Sequence, residues 1–362
     1  MENKRINVTK AYLPPKEEYF EKISLMWDNH FLTNYGPLNN ELVERISEYL
    51  DVKNLHYTNN GTISIQLCLE ALGCKEGEII TTPFTFIATS SAIAWQGLTP
   101  VFVDIDPKTY NIDPDKIEEK ITENTKAILA VHCFGIPCDV EKIEKIAKKH
   151  NIPVIYDAAH SFGTKIGDRS VLSYGDMSSC SLHATKVYHS IEGGLVVVNN
   201  PQYQERITAT KNFGHLDGSY QYVGINAKNS EFHAAMGLCV LNHLDEIISK
   251  RKETYEYYKK LLQGLVHINE LPENFTYNYI YFPILFDKEE DLVSCFDELA
   301  KENIYARRYF YPSLNDTNLF GESNTPISTD ISKRIGCLPF DTYLEKEDVE
   351  KICSIIKRTL HK

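Results

Sequence analysis

The chain has 362 residues, room for one large domain and a smaller one. Apolar residues at 43% supply a sizeable core, and a formal charge of -12 argues against a role built on nucleic-acid phosphates, which needs clustered Lys and Arg. It leaves open a small anionic substrate, because a local cluster overrides the global sign.

The nine cysteines are scattered without a C-x-x-C pair; the nearest approach is Cys133 with Cys138. A disulfide framework or a zinc ribbon needs tighter spacing, so reduced thiols in a cytoplasmic protein are expected. Met1 to Pro15 hold no apolar signal-peptide core. The longest apolar candidate, Ile79 to Trp95, is broken by Thr81, Thr82 and Pro83 among others, so no membrane span is expected.

Along the chain, strands and helices alternate. Asn59-Asn60-Gly61-Thr62 opens a helical run with Ile63, Leu67, Cys68, Ala71 and Leu72, ended by Gly73. Glu78 to Pro83, Pro100 to Ile105 and Ala127 to His132 read as strands. Cys138 to His150 sets Val140, Ile143, Ile146 and Ala147 on one helical face. Ile152 to Tyr156 is a buried-looking strand running into Asp157, and Met177 to Leu182 and Leu195 to Val198 are further strands. This rhythm predicts an α/β fold, a mostly parallel central sheet with helices on both faces. Beyond Leu244 come a helix to about Leu265, a strand over Tyr279 to Phe286 and a helix near Asp291 to Glu302. That change of character predicts a large α/β domain over 1–245, with an N-terminal arm, and a small α+β domain over 246–362.

Ligands of such sheets sit beyond the carboxyl ends of strands, and three groups of residues fall there. Gly61 and Thr62 open a helix, whose free N–H groups favour a phosphate; an ordinary cap by Asn60 explains the same residues. Asp157 follows a strand and precedes the small Ala158 and Ala159, then His160. A carboxylate there pairs with a pyridinium nitrogen under a flat ring, or caps a turn. Lys186 follows Ser181 to Thr185 past another strand and precedes Glu192-Gly193-Gly194, where a desolvated amine becomes a nucleophile; most lysines are merely solvated.

Together these pieces resemble a known family. Thr81 to Thr89, Thr99 to Asp106, Asp157 to His160, and His183 to Lys186 with Glu192 to Gly194 are similar, in this order, to the DegT-type sugar aminotransferases of pyridoxal-phosphate fold type I. The likeness runs from Leu32 to about Pro339. It implies pyridoxal 5'-phosphate as cofactor, with pyridoxamine 5'-phosphate as its aminated form. It implies that Lys186 carries the cofactor as a Schiff base and that Asp157 pairs with the ring nitrogen. Phe86 and Ala159 would face the two sides of the ring, His160 would lie near the phenolic oxygen, and Gly61, Thr62 and Ser181 would hold the phosphate. Asn226, in Gly224 to Lys228, would reach the neighbouring subunit's phosphate, which implies a homodimer with shared sites. Lys228 and Asn229 stand where many relatives carry Arg and Met.

The implied reaction moves an amino group from L-glutamate to C4 of a dTDP-linked 4-keto-6-deoxyglucose, a step of O-antigen and lipopolysaccharide biosynthesis. For the sugar nucleotide, Arg307, Arg308, Tyr309 and Tyr311 are candidates, with Tyr188, His215 and His183 behind them. Other readings fare less well. Asp157, His160 and Ser161 have the letters of a hydrolase, without a G-x-S-x-G elbow. There is no H-E-x-x-H for a metal and no G-x-G-x-x-G for a dinucleotide. A non-catalytic regulator that binds the cofactor would not need both Lys186 and Asp157. The runner-up is amination at C3 of a 3-keto-6-deoxy sugar nucleotide.

Overall fold

The computed structural model describes residues 4–269, 271–321 and 323–361; Met1 and Lys362, the outer bounds of the two expected domains, lie outside the described residues. Seven strands form the central sheet: β1 (Leu55–Thr58), β2 (Glu78–Thr81), β3 (Thr99–Phe102), β4 (Thr125–Val131), β5 (Val154–Asp157), β6 (Met177–Ser181) and β7 (Gly194–Val198). Their order is β1-β7-β6-β5-β4-β2-β3. All neighbours are parallel except the two pairs made by β7, which runs against the rest. The expected mostly parallel sheet is therefore present.

Two-residue periodicity explains why the strands read as continuous apolar runs. Ile79, Ala127, Leu129, Ile155 and Met177 share one cluster with helices α3 (Gly61–Ala71) and α4 (Ala88–Trp95). Their neighbours Ile80, Ile128, Ala130, Val154 and Tyr156 pack on the other face with α5 (Val140–His150). Both faces are covered, so both sets are apolar. Helix α5 starts at Val140, two residues after the expected Cys138, because the Asp139 side chain accepts the Lys142 N–H at 3.0 Å and caps it. The expected strand over Tyr279 to Phe286 shrinks to Pro283–Leu285, since its partner Ile335–Cys337 offers only three residues.

Several helices were not foreseen. Helices α1 (Lys16–Asn29) and α2 (Pro37–Leu50) precede β1, and α2 packs with Glu231–Asn242 against β1 and β7. Helix α4 was hidden inside the apolar run Ile79 to Trp95.

A second core lies further along, built on Tyr255, Tyr258, Phe282, Leu292, Leu299, Ile352 and Ile356. The helix Leu244–Leu262 runs into it. The N-terminal segment joins it too: Ile6 pairs with Asn303 and Tyr305, and the Val8 carbonyl accepts the Phe340 N–H.

One carboxylate ties the sheet to this region. Asp104, two residues past β3, is 5% exposed. It accepts the N–H groups of Ile327 and Ser328 and the Ser328 hydroxyl, at 2.8 to 2.9 Å. These donors open the helix Pro326–Arg334, so the charge sits at the positive end of a helix dipole. That helix leads into Ile335–Cys337, whose Cys337 pairs through the backbone with Arg307. Replacing Asp104 with Ala should lower stability by about 2–4 kcal/mol, the scale of a lost cap plus charged hydrogen bonds. Denaturant unfolding checks this; a loss under about 0.5 kcal/mol, the scale of an ordinary surface substitution, would contradict the role.

Candidate active site

The carboxyl ends of β1, β5 and β6 converge on a cavity of about 320 Å³. Each side chain arrives there for a local reason. Asn60 ends the turn after β1 and caps α3 by accepting the Ile63 N–H at 2.9 Å. The first residues of that helix, Gly61 and Thr62, line the cavity. A Cβ on Gly61 would lie 2.9 Å from the Ser181 Cβ, so only glycine lets α3 begin against the end of β6. Gly194 serves likewise, since a Cβ there would meet the Asn60 carbonyl at 2.4 Å. The cap reading and the phosphate reading of Asn60 to Thr62 are thus compatible.

Asp157 ends β5 and is 4% exposed. Its Oδ2 accepts the Thr89 hydroxyl at 2.7 Å and its Oδ1 the Ala159 N–H at 3.1 Å. Burial raises its proton affinity, while these two donors and the Lys186 charge oppose the rise. Lys186, on the loop after β6, is held by its N–H to the His183 carbonyl. Burial lowers its pKa to about 8, with Asp157 pulling the other way. His160 is driven well below the ordinary histidine range, by burial first and by Lys186 second, so it stays neutral. Its ring lies parallel to Phe310 and edge-on to Tyr281. Its Nδ1 has no hydrogen-bond partner among the described residues.

Ten of the residues singled out from sequence line this one cavity: Gly61, Thr62, Phe86, Asp157, Ala159, His160, Ser181, Lys186, Arg307 and Tyr309. His183 joins them. Phe86 is 53% exposed toward the opening, while its neighbour Phe84 is fully buried in the core. The others stand elsewhere. Tyr188 is fully buried, packs on Phe162 and donates its hydroxyl to the Gly237 carbonyl at 3.0 Å. His215 lies in an exposed hairpin against Tyr220. Arg308 pairs with Glu289 at 2.6 Å and stacks on Tyr311, and neither lines the cavity.

Asn226 is exposed and outside the cavity lining, its Oδ1 accepting the Lys228 N–H at 3.3 Å. Asn229 points inward and donates to the Tyr57 hydroxyl and the Glu192 carbonyl, both at 2.9 Å. It thereby ties this segment to the loop that carries Lys186.

Sequence reading assigned no role to Thr9, Thr85, Thr89, Tyr281 or Phe310, which also line the cavity. Thr85 and Thr89 lay inside a quoted motif. Tyr281 lay within the expected strand Tyr279 to Phe286, and neither Phe310 nor Thr9 was given a reading.

The residues present fit pyridoxal 5'-phosphate. A buried carboxylate calls for a cationic partner, a lysine of lowered proton affinity can bond to an aldehyde, and a glycine-opened helix start suits a phosphate. A sheet of this topology with an amine and a carboxylate at the ends of adjacent strands defines a fold type I pyridoxal-phosphate enzyme. The chain belongs to the DegT/DnrJ/EryC1/StrS aminotransferase family, which it matches over residues 15–357. It is 42% identical to the dTDP-4-amino-4,6-dideoxy-D-glucose transaminase of Shigella dysenteriae, over 98% of this chain and 99% of that one. It is 30% identical to the dTDP-3-amino-3,6-dideoxy-alpha-D-galactopyranose transaminase of Aneurinibacillus thermoaerophilus, over 87% and 88%. Among solved structures, DesI in the presence of its TDP-sugar product superposes with a TM-score of 0.94 at 31% identity, covering 99% of this chain and 93% of that one.

Because the neutral amine is the nucleophile, cofactor-free protein should take up pyridoxal phosphate faster as pH rises, levelling off above about 8. Borohydride should then fix the cofactor on the peptide containing Lys186. A label on any other peptide would overturn the assignment.

Proposed function

We propose that this enzyme transfers the amino group of L-glutamate to C4 of dTDP-4-keto-6-deoxyglucose, giving dTDP-4-amino-4,6-dideoxy-D-glucose for O-antigen and lipopolysaccharide assembly in the cytoplasm. The observation that carries the choice of carbon is the full-length likeness to a 4-transaminase at 42%, against 30% for a 3-transaminase.

When bound, pyridoxal phosphate supplies an electron sink for the pair left on carbon as a proton departs. The chain's own groups do the rest. Asp157 presents negative charge in a dry setting, which favours a proton on a nitrogen beside it. Lys186 Nζ, with its proton affinity lowered to about 8, takes a proton from the donor carbon and returns one to the sugar carbon. Neutral His160 offers hydrogen bonding without adding a competing charge. Arg307, with its guanidinium 4.7 Å from the Tyr309 ring centroid, lines the cavity and in this reading holds a pyrophosphate or the carboxylate of glutamate. In this reading the chain divides near residue 245, so that Arg307 and Tyr309 come from the smaller part and the cofactor groups from the larger.

The sugar must bring its keto carbon to the cofactor while the nucleotide is anchored at a distance. A 3-keto isomer on the same anchor places its carbonyl one ring atom away, and a misplacement of about 1 Å costs on the order of 100-fold in rate. Incubation with glutamate and a panel of 3-keto and 4-keto dTDP- and UDP-sugars, followed by NMR of the products, should show amination at C4 with the 3-keto sugars far slower. Equal rates, or a preference for the 3-keto sugar, would overturn the choice of carbon.

The proposal includes a homodimer in which Asn226 completes the neighbouring site; its exposed position outside its own chain's cavity supports this. Mixed dimers of Lys186→Ala and Asn226→Ala subunits should recover activity, because one of the two sites then regains both residues. Demonstrably mixed dimers without recovery would count against a shared site.

A further inference from the structure

The cavity holds a chain of hydroxyls that the reaction as described leaves unused. Thr85 and Thr89 are 2% and 1% exposed. Their hydroxyl oxygens lie 2.9 Å apart, and Thr89 Oγ1 lies 2.7 Å from Asp157 Oδ2. A hydroxyl has one proton to give. While Asp157 is ionised it can only accept, so Thr89 spends its proton on the carboxylate and Thr85 must be the donor to Thr89. The polarity of the chain is thereby fixed: Thr85 to Thr89 to Asp157.

Burying two hydroxyls costs free energy unless both are hydrogen-bonded, and valine would fill the same volume without that cost. Their bonds run toward a charge, where a donor is worth most, and successive donors strengthen one another. The other groups around Asp157 do not supply this. Among the described residues Lys186 is the cation that acts on Asp157, and its amine is engaged in the reaction. Cys68 on α3 and Cys180 on β6 are buried thiols whose ionisation burial opposes, so they stay neutral. The Ala159 N–H is a backbone donor and serves Oδ1 alone. His160 is neutral.

The geometry points to Thr89, backed by Thr85, as a positioning residue that holds Asp157 ionised and so keeps the proton they share on the cofactor's ring nitrogen rather than on the carboxylate. The same pair flanks Phe86 in the turn that opens α4, so the chain that charges the carboxylate also anchors the aromatic wall of the cavity. This inference rests on the pyridoxal-phosphate reading of the cavity and not on which sugar is the substrate.

The test is 15N NMR of holoenzyme loaded with pyridoxal phosphate labelled at the ring nitrogen, titrated with pH, for the native chain and for Thr89→Val, Thr89→Ser and Thr85→Val. Removing the donor makes Asp157 the stronger base, so the proton shared by the pair moves from the ring toward the carboxylate. On the plateau below the final deprotonation, the ratio of ring-protonated to carboxyl-protonated forms should therefore fall about tenfold in Thr89→Val, seen as a 15N shift displaced toward that of the unprotonated ring. Thr89→Ser should restore the native shift, and Thr85→Val should displace it the same way by less. Retention of cofactor on dialysis should weaken in the same order. If Thr89→Val does not fold, the displacement in Thr85→Val and the native shift in Thr89→Ser carry the test. A native shift in both valine variants, or a serine variant as impaired as the valine one, overturns the inference. A native chain with no ring-nitrogen signal at all overturns the cofactor reading itself.

Discussion

Asp157 carries a carboxylate into a part of the protein that water scarcely reaches, and the groups around it oppose the proton that burial favours there. A bare carboxylate in such a place would take up a proton. Here a threonine hydroxyl and a backbone N–H meet its two oxygens, and the one lysine amine of the cavity supplies the opposite charge. The relation works in both directions. Burial lowers the proton affinity of Lys186, Asp157 moderates that drop, and the amine ends near 8, where it can gain and lose a proton under ordinary conditions. Histidine in the same surroundings is held neutral, so it adds no second cation to the balance.

The sheet makes this arrangement possible. Parallel strands put all their carboxyl ends on one edge, so residues far apart in sequence meet without long loops. Asp157 and Ser181 end paired strands, and Gly61 starts a helix pressed against Ser181. The opposite wall has a different origin. Arg307, Tyr309 and Phe310 are carried on a segment paired with Cys337, and that region is joined to the sheet through Asp104 at the start of the helix Pro326–Arg334. A second buried carboxylate therefore governs where the wall carrying Arg307, Tyr309 and Phe310 stands relative to Asp157 and Lys186. Asp104 and Asp157 use the same physics, oxygens saturated by donors, for different ends: one fastens, the other stays available.

The site was legible to different depths at different residues. Lys186 and Asp157 could be found because their motifs carry positional information: Asp157 closes an apolar strand and Lys186 comes five residues after the end of β6, with small residues beside each. Arg307 and Arg308 were equivalent in sequence, and only the fold separates them, since backbone pairing with Cys337 turns Arg307 to the cavity while Glu289 holds Arg308. Tyr188 was a candidate for the sugar nucleotide, yet it lies in the core against Phe162. Thr89 sat in plain view within a motif, but a threonine in an apolar run gives no sign of what its hydroxyl faces.

The sequence by itself determined the alternation of strand and helix, the mostly parallel sheet, the edge at which chemistry would gather and the family to which the chain belongs. Those properties rest on periodicity and local motif, which a linear chain carries in full. Tertiary structure alone decided which residue answers Asp157, which arginine faces the cavity, that Asp104 joins sheet to helix across more than two hundred residues, and that Thr9 reaches the site at all. The reason is physical. Hydrogen bonds and charge pairs act over a few ångströms in space, and separation along the chain says nothing of that distance until the fold closes it.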